Sequence, residues 1–169
     1  ELVKCENDPI YFIENFCKIV TLDNGLQPFV LYECQKRKVE FITTNRKTIL
    51  MEGRQQGKTV TAAACILHYS IFNADKTIAI MANKGDVDLE NGSRVFTSAT
   101  TSSGIRGKSV NWLYIDEAAI IPNNVADDFF ASVYPTISAG ETTKILLTST
   151  PLGYNHFWKF WNESEKGTN

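Results

Sequence analysis

Long hydrophobic runs are missing from this chain. No apolar stretch approaches the roughly 20 residues of a membrane-spanning helix, and the N-terminus shows no signal-peptide pattern. Charge of one sign is missing too: 17 Lys+Arg stand against 19 Asp+Glu in 169 residues, a formal net charge of −2. That balance argues against a protein that holds DNA by bulk positive charge. Cysteine is sparse, at Cys5, Cys17, Cys34 and Cys65, with no CxxC pair and no zinc-type spacing. A disulfide-stapled miniprotein is excluded, and the thiols read as scattered apolar side chains in a reducing compartment. His68 and His156 are far apart and lack a cysteine or carboxylate cluster at ligand spacing, so no metal cage built from side chains alone is expected. What is present is an ordinary globular composition, 43% hydrophobic and 21% charged, of a length that suits one α/β domain.

Asp8-Pro9 ahead of IYFIENFCKI reads as a capped helix with Pro at its first position. Gly25 and Pro28 punctuate a turn, and a more polar helix is predicted from about Tyr32 to Phe41. Strand-length apolar runs follow at 48–51, 77–82, 112–115 and 144–148, with a helix predicted from Lys58 to Phe72 and another over Asp127 to Val133. In the helix from Lys58, Ala62, Cys65, Ile66 and Tyr69 share one face. Asn91-Gly92, between the runs 87–90 and 94–97, is a hairpin-turn signal. Strands alternating with helices imply a three-layer α/β domain around a mainly parallel sheet.

Gly53-Arg54-Gln55-Gln56-Gly57-Lys58-Thr59 lies between a predicted strand and a predicted helix, the setting a phosphate-binding loop requires. Gly57 permits close backbone approach, and the helix N-terminus favours an anion. Lys58 would reach the phosphates and the Thr59 hydroxyl a Mg²⁺ ion. The match is imperfect, because the usual first glycine falls at Glu52. The strand 112–115 ends in Asp116-Glu117, a metal partner followed by a carboxylate able to polarise water. A lone Asp-Glu would be a strand-end turn; paired with the loop, it points to nucleotide hydrolysis. Thr148, Ser149 and Thr150 end the last strand, where hydroxyls could sense a phosphate or simply form a turn before Pro151. Arg106, flanked by glycines, fits a charge-stabilising finger or a solvated loop residue equally. Gln35 on a polar helix would ordinarily be surface. The aromatic group Tyr154, Phe157, Trp158, Phe160 and Trp161 reads as packing more than as a base-stacking platform.

These motifs, in their order and spacing, resemble the ATPase domain of the large terminase subunit of tailed bacteriophages, the DNA-packaging motor, in its T-even type. The resemblance runs through DPIYFIENFCKI, the Gln35 helix, GRQQGKT, NADKTIAIMANKG, LENGS, IRGKS, LYIDEAAIIP, TSTPLG and NHFW. It implies a P-loop NTPase of RecA-like, additional-strand catalytic-glutamate type. It also implies a deviant Walker A loop from Gly53 through Arg54, Gln55, Gln56, Gly57 and Lys58 to Thr59, with Arg54 and Gln55 beside the nucleotide. Asp116 would be the Walker B metal partner, Glu117 the catalytic carboxylate, and Thr148–Thr150 the coupling motif. Gln35 would read adenine through two hydrogen bonds, and Arg106 would act as a finger in trans.

The implied cofactors are ATP and Mg²⁺. The implied partners are double-stranded viral DNA, the portal protein, the small terminase subunit and further copies in a ring on the procapsid, within the host cytoplasm and not at a membrane. Residues 1–45 would be a helical lead-in and 46–169 the core of a single ATPase domain. Relatives carry a helical stretch where Lys84-Gly85-Asp86 joins two strands here, so a segment is expected to be missing near residues 85–86. The family's C-terminal nuclease domain is not expected within these residues, and the lack of an initiator Met suits a fragment. The first RecA-like domain of a superfamily 2 helicase shares much of the pattern, and a nucleotide-binding assembly module without turnover is a further alternative.

Overall fold

The computed structural model describes residues 1–81, 87–98, 105 and 108–167. The chain opens with helices α1 (Leu2–Asn7) and α2 (Pro9–Phe16). Asp8 caps α2 by accepting a hydrogen bond from the Tyr11 N–H at 2.9 Å, as the Asp-Pro pair predicts. The turn expected at Gly25 and Pro28 is larger than its sequence suggested. Strands β1 (Lys18–Thr21) and β2 (Gly25–Pro28) pair antiparallel as a separate two-stranded sheet. Helix α3 follows at Glu33–Thr44, longer than predicted because Val39 and Ile42 continue a buried face.

The main sheet has six strands: β3 (Lys47–Met51), β4 (Thr77–Met81), β5 (Val87–Asp88), β6 (Arg94–Ser98), β7 (Trp112–Ile115) and β8 (Lys144–Ser149), in the order β3-β8-β7-β4-β6-β5. The first five in that order run parallel, and β5 turns back antiparallel to β6. Gly92 takes φ +79° in the turn between β5 and β6, and a Cβ there would collide with the Asp75 carboxylate. Helix α4 (Lys58–Phe72) links β3 to β4; α5 (Asn123–Ser132), α6 (Tyr134–Ser138) and α7 (His156–Glu165) follow β7 and β8.

The sheet separates two cores. On one face Leu113, Ile115, Ile145 and Leu147 pack with Phe129, Ile137 and Phe157 from α5 to α7. On the other Trp112, Tyr114 and Leu146 pack with Val39 and Ile42 of α3 and Ala62, Cys65 and Ile66 of α4. Side chains along a strand point alternately to the two faces. The same alternation places Thr148 of β8, and Asp116 just past the end of β7, on the α4 side. A sheet covered on both faces is the arrangement the alternating elements imply. No helix among the described residues is long and apolar enough to cross a membrane.

Candidate active site

Strand β8 lies between β3, which leads into the glycine-bearing loop, and β7, which ends in the two carboxylates. All three therefore deliver their carboxyl ends to one edge, where open parallel sheets bind ligands. The loop runs from Glu52 to Gly57. Gly57 is the N-cap of α4 at φ 71°, ψ 22°, and its missing side chain matters twice. The left-handed backbone disfavours a Cβ, and one placed there would lie 2.6 Å from Gln35 Nε2. Gln55 also has positive φ, at 60°, as does Glu117 at φ 50°. Left-handed backbone at non-glycine residues costs of order 1–3 kcal/mol and gathers at functional sites.

Lys58 is 7% exposed, and its Nζ donates to Glu117 Oε1 at 3.1 Å. The Thr59 hydroxyl donates to Asp116 Oδ2 at 2.7 Å. The other Asp116 oxygen accepts from Thr148 Oγ1 at 2.8 Å and from the Glu117 N–H at 3.0 Å. Glu117 Oε2 accepts from Thr150 Oγ1 at 3.2 Å and, more weakly, from the Thr150 N–H at 3.4 Å and Ser149 Oγ at 3.5 Å. Ser149 Oγ also takes the Ala119 N–H at 3.0 Å. Lys58, Thr59, Asp116, Glu117 and Thr148–Thr150, far apart in the chain, thus form one hydrogen-bonded cluster. Burial pushes the Glu117 carboxyl up, but the Lys58 ammonium and the Thr150 donors more than offset it and hold its pKa below the ordinary glutamate value. It is ionised at neutral pH, a proton acceptor and not an acid.

Gln35 is buried beside the loop, not on the surface. Its Oε1 accepts the Tyr32 N–H at 3.0 Å in a capping box at the start of α3, which leaves Nε2 facing Gly57. Gly53 tolerates a Cβ at ordinary contact with the Gln56 side chain, so the structure sets no steric demand for glycine there. Arg54 is exposed on the loop. Arg106 and residues 85–86 lie outside the described residues.

Three groups at the site carry no motif signal. Tyr114, buried on β7, places its hydroxyl 3.2 Å from Thr148 Oγ1. Lys38 of α3 donates to Glu52 Oε2 at 2.8 Å and to the Gln56 carbonyl at 3.0 Å. Glu52 itself, at the position where glycine is usual, sends its N–H to the Ser149 carbonyl at 3.0 Å. A buried tyrosine reads as core and a lysine on a polar helix as surface, so only the register of three strands against α3 reveals them.

Residues 83–168 match the family model described as the terminase large subunit, T4likevirus-type, N-terminal. The fold is similar to the HK97 bacteriophage large terminase with a TM-score of 0.75 and 17% identity, over 97% of this chain and 42% of that one. It is also similar to the large terminase ATPase domain of Thermus phage P74-26, with a TM-score of 0.58 and 18% identity, over 78% of this chain and 69% of that one. The chain thus spans less than half the length of the HK97 protein it matches. At these identities the likeness bears on the fold, which is a P-loop fold of RecA-like type.

Proposed function

This chain belongs to the terminase large subunit family of T4likevirus type, as its N-terminal part, and on that premise we propose that it hydrolyses Mg²⁺-ATP to drive double-stranded viral DNA into a preformed capsid. The observation that carries the reading is the cluster of Lys58, Thr59, Asp116, Glu117 and Thr148–Thr150 at the carboxyl ends of three adjacent parallel strands. ATP would lie over the loop from Gly53 to Thr59, its phosphates facing the N-terminus of α4, whose N–H groups and dipole favour negative charge. Glu117 would then lose its contact with Lys58, because the phosphate oxygens compete for the same ammonium. Released from that pair, the ionised carboxylate can align a water and accept its proton during in-line attack on the γ-phosphorus.

The donor set suits Mg²⁺: the Thr59 hydroxyl and the Asp116 carboxylate are hard oxygen ligands, 2.7 Å apart, and this ion takes few protein ligands beside phosphate and water. When bound, it neutralises charge on the transferring phosphoryl group. Thr150 touches Glu117 through both backbone and side chain, so a change in how Glu117 is held displaces the segment that follows β8. That segment leads into Asn155 and α7, and Asn155 Nδ2 donates to the Ala119 carbonyl at 2.8 Å. Thr148–Thr150 would in this way pass the hydrolysis step to whatever grips DNA, and portal, small subunit and ring neighbours are the partners expected.

Phosphate release is the test, measured for wild type and Glu117→Gln alongside binding of a fluorescent ATP analogue. Turnover should fall by a factor of about 10² or more while binding persists. Equal turnover in two proteins that both bind would overturn the enzyme reading.

A further inference from the structure

We propose that Lys38 is a positioning residue for nucleotide binding, an internal strut that sets the phosphate loop from the helix carrying Gln35; the inference rests on the ATP-binding reading above. Lys38 is 9% exposed, and the side chains of the Lys38–Glu52 pair are only 10% and 14% exposed. Its single ammonium holds both ends of the loop, the Glu52 carboxylate at 2.8 Å and the Gln56 carbonyl at 3.0 Å. Gln35 lies one turn earlier on α3 and packs against Gly57, the next residue of the loop. One helix therefore touches the loop where it begins and where it ends.

The strut also explains an odd residue. Glu52 stands where such loops usually have glycine, and a bare carboxylate beside a triphosphate site would repel the ligand. Paired with Lys38 it no longer opposes an anion, and its N–H ties the loop to Ser149 on the coupling strand at 3.0 Å. Lys38 thus performs two separable tasks, neutralising Glu52 and holding the Gln56 carbonyl. The separation makes the proposal testable, because Glu52→Gln removes the first need and leaves the second.

The experiment measures Mg²⁺-dependent binding of a fluorescent ATP analogue, turnover at saturating ATP and thermal stability in the full-length protein. Lys38→Met should weaken binding by about tenfold, the scale of one lost charge-assisted hydrogen bond, with kcat within about twofold. Glu52→Gln should bind at least as tightly as wild type, since Lys38 still holds Gln56. The double variant Lys38→Met/Glu52→Gln should recover most of the lost stability, having no unpaired buried carboxylate, yet bind more weakly than Glu52→Gln alone. A double variant that binds like wild type, or Glu52→Gln binding as poorly as Lys38→Met, would overturn the strut and leave an ion pair of purely structural value. Lys38→Met binding as wild type does overturns the strut alone, whereas a wild type that binds no ATP overturns the nucleotide reading with it.

Discussion

Replacing Thr148 by valine tests the polar chain that runs from the core to the site. Thr148 is fully buried and has one proton. Thr148 Oγ1 donates that proton to Asp116 Oδ1 at 2.8 Å, so in its 3.2 Å contact with the Tyr114 hydroxyl it can only accept. Burial raises the Tyr114 phenol pKa above its ordinary value, which keeps that donor protonated. Valine preserves the shape and deletes both bonds. Loss of the bond to the carboxylate costs about 1.5–3 kcal/mol, and loss of the Tyr114–Thr148 bond adds about 1 kcal/mol, with Asp116 and Thr59 still within reach of the phenol. Asp116 keeps Thr59 and the Glu117 N–H, so no further term arises. The expected total is about 3 kcal/mol, or roughly 6–12 °C in Tm for a domain of this size. Urea unfolding of Thr148→Val, Tyr114→Phe and the double variant measures it. The double variant should lose about 1 kcal/mol less than the sum of the singles, because each single removes the same Tyr114–Thr148 bond. Additivity within about 0.5 kcal/mol, or a loss below that for Thr148→Val, would refute the reasoning.

His156 and the cysteines give two further expectations. Burial holds the His156 imidazole pKa below its ordinary value, although the Ala118 carbonyl and the Asp127 carboxylate pull it up. Its folded pKa is thus below the unfolded one, so the unfolded chain binds more protons, and stability is full above about pH 6.5 and falls as pH drops below it. Tm measured from pH 8 to pH 5 should decline more steeply for wild type than for His156→Gln; identical slopes would contradict this. Burial also pushes the Cys65 thiol up to about 12, while Cys34 is exposed. At pH 8 a disulfide reagent should label Cys34 first, Cys34→Ser should abolish that phase, and Cys65 should react only on unfolding. Labelling of native Cys65 as fast as Cys34 would sink the argument.

The residues proposed to bind and cleave the nucleotide were readable in one dimension because that chemistry demands fixed local company. Gly57 needs Lys58 and Thr59 beside it, and Asp116-Glu117 needs an apolar strand before it. Both lie where the pattern placed them. The supports were unreadable because nothing local marks them. Lys38 and Glu52 meet only once α3 is laid against the end of β3. Tyr114 reaches Thr148 only because β8 adds between β3 and β7. The Gln35 carboxamide is held by the backbone N–H of Tyr32, a contact that no residue type at position 32 announces. The β1–β2 pair has exposed and half-buried side chains, so it shows no buried alternation by which a strand is recognised.

The most direct test of the account is a structure of the protein with Mg²⁺ and a non-hydrolysable ATP analogue. The phosphates are expected over the loop from Gly53 to Thr59, with Lys58 Nζ moved from Glu117 to a phosphate oxygen and Thr59 and Asp116 facing the metal. Glu117, freed of Lys58, should point at a water near the terminal phosphate. An analogue bound elsewhere, with the Lys58–Glu117 and Thr59–Asp116 contacts intact, would contradict it.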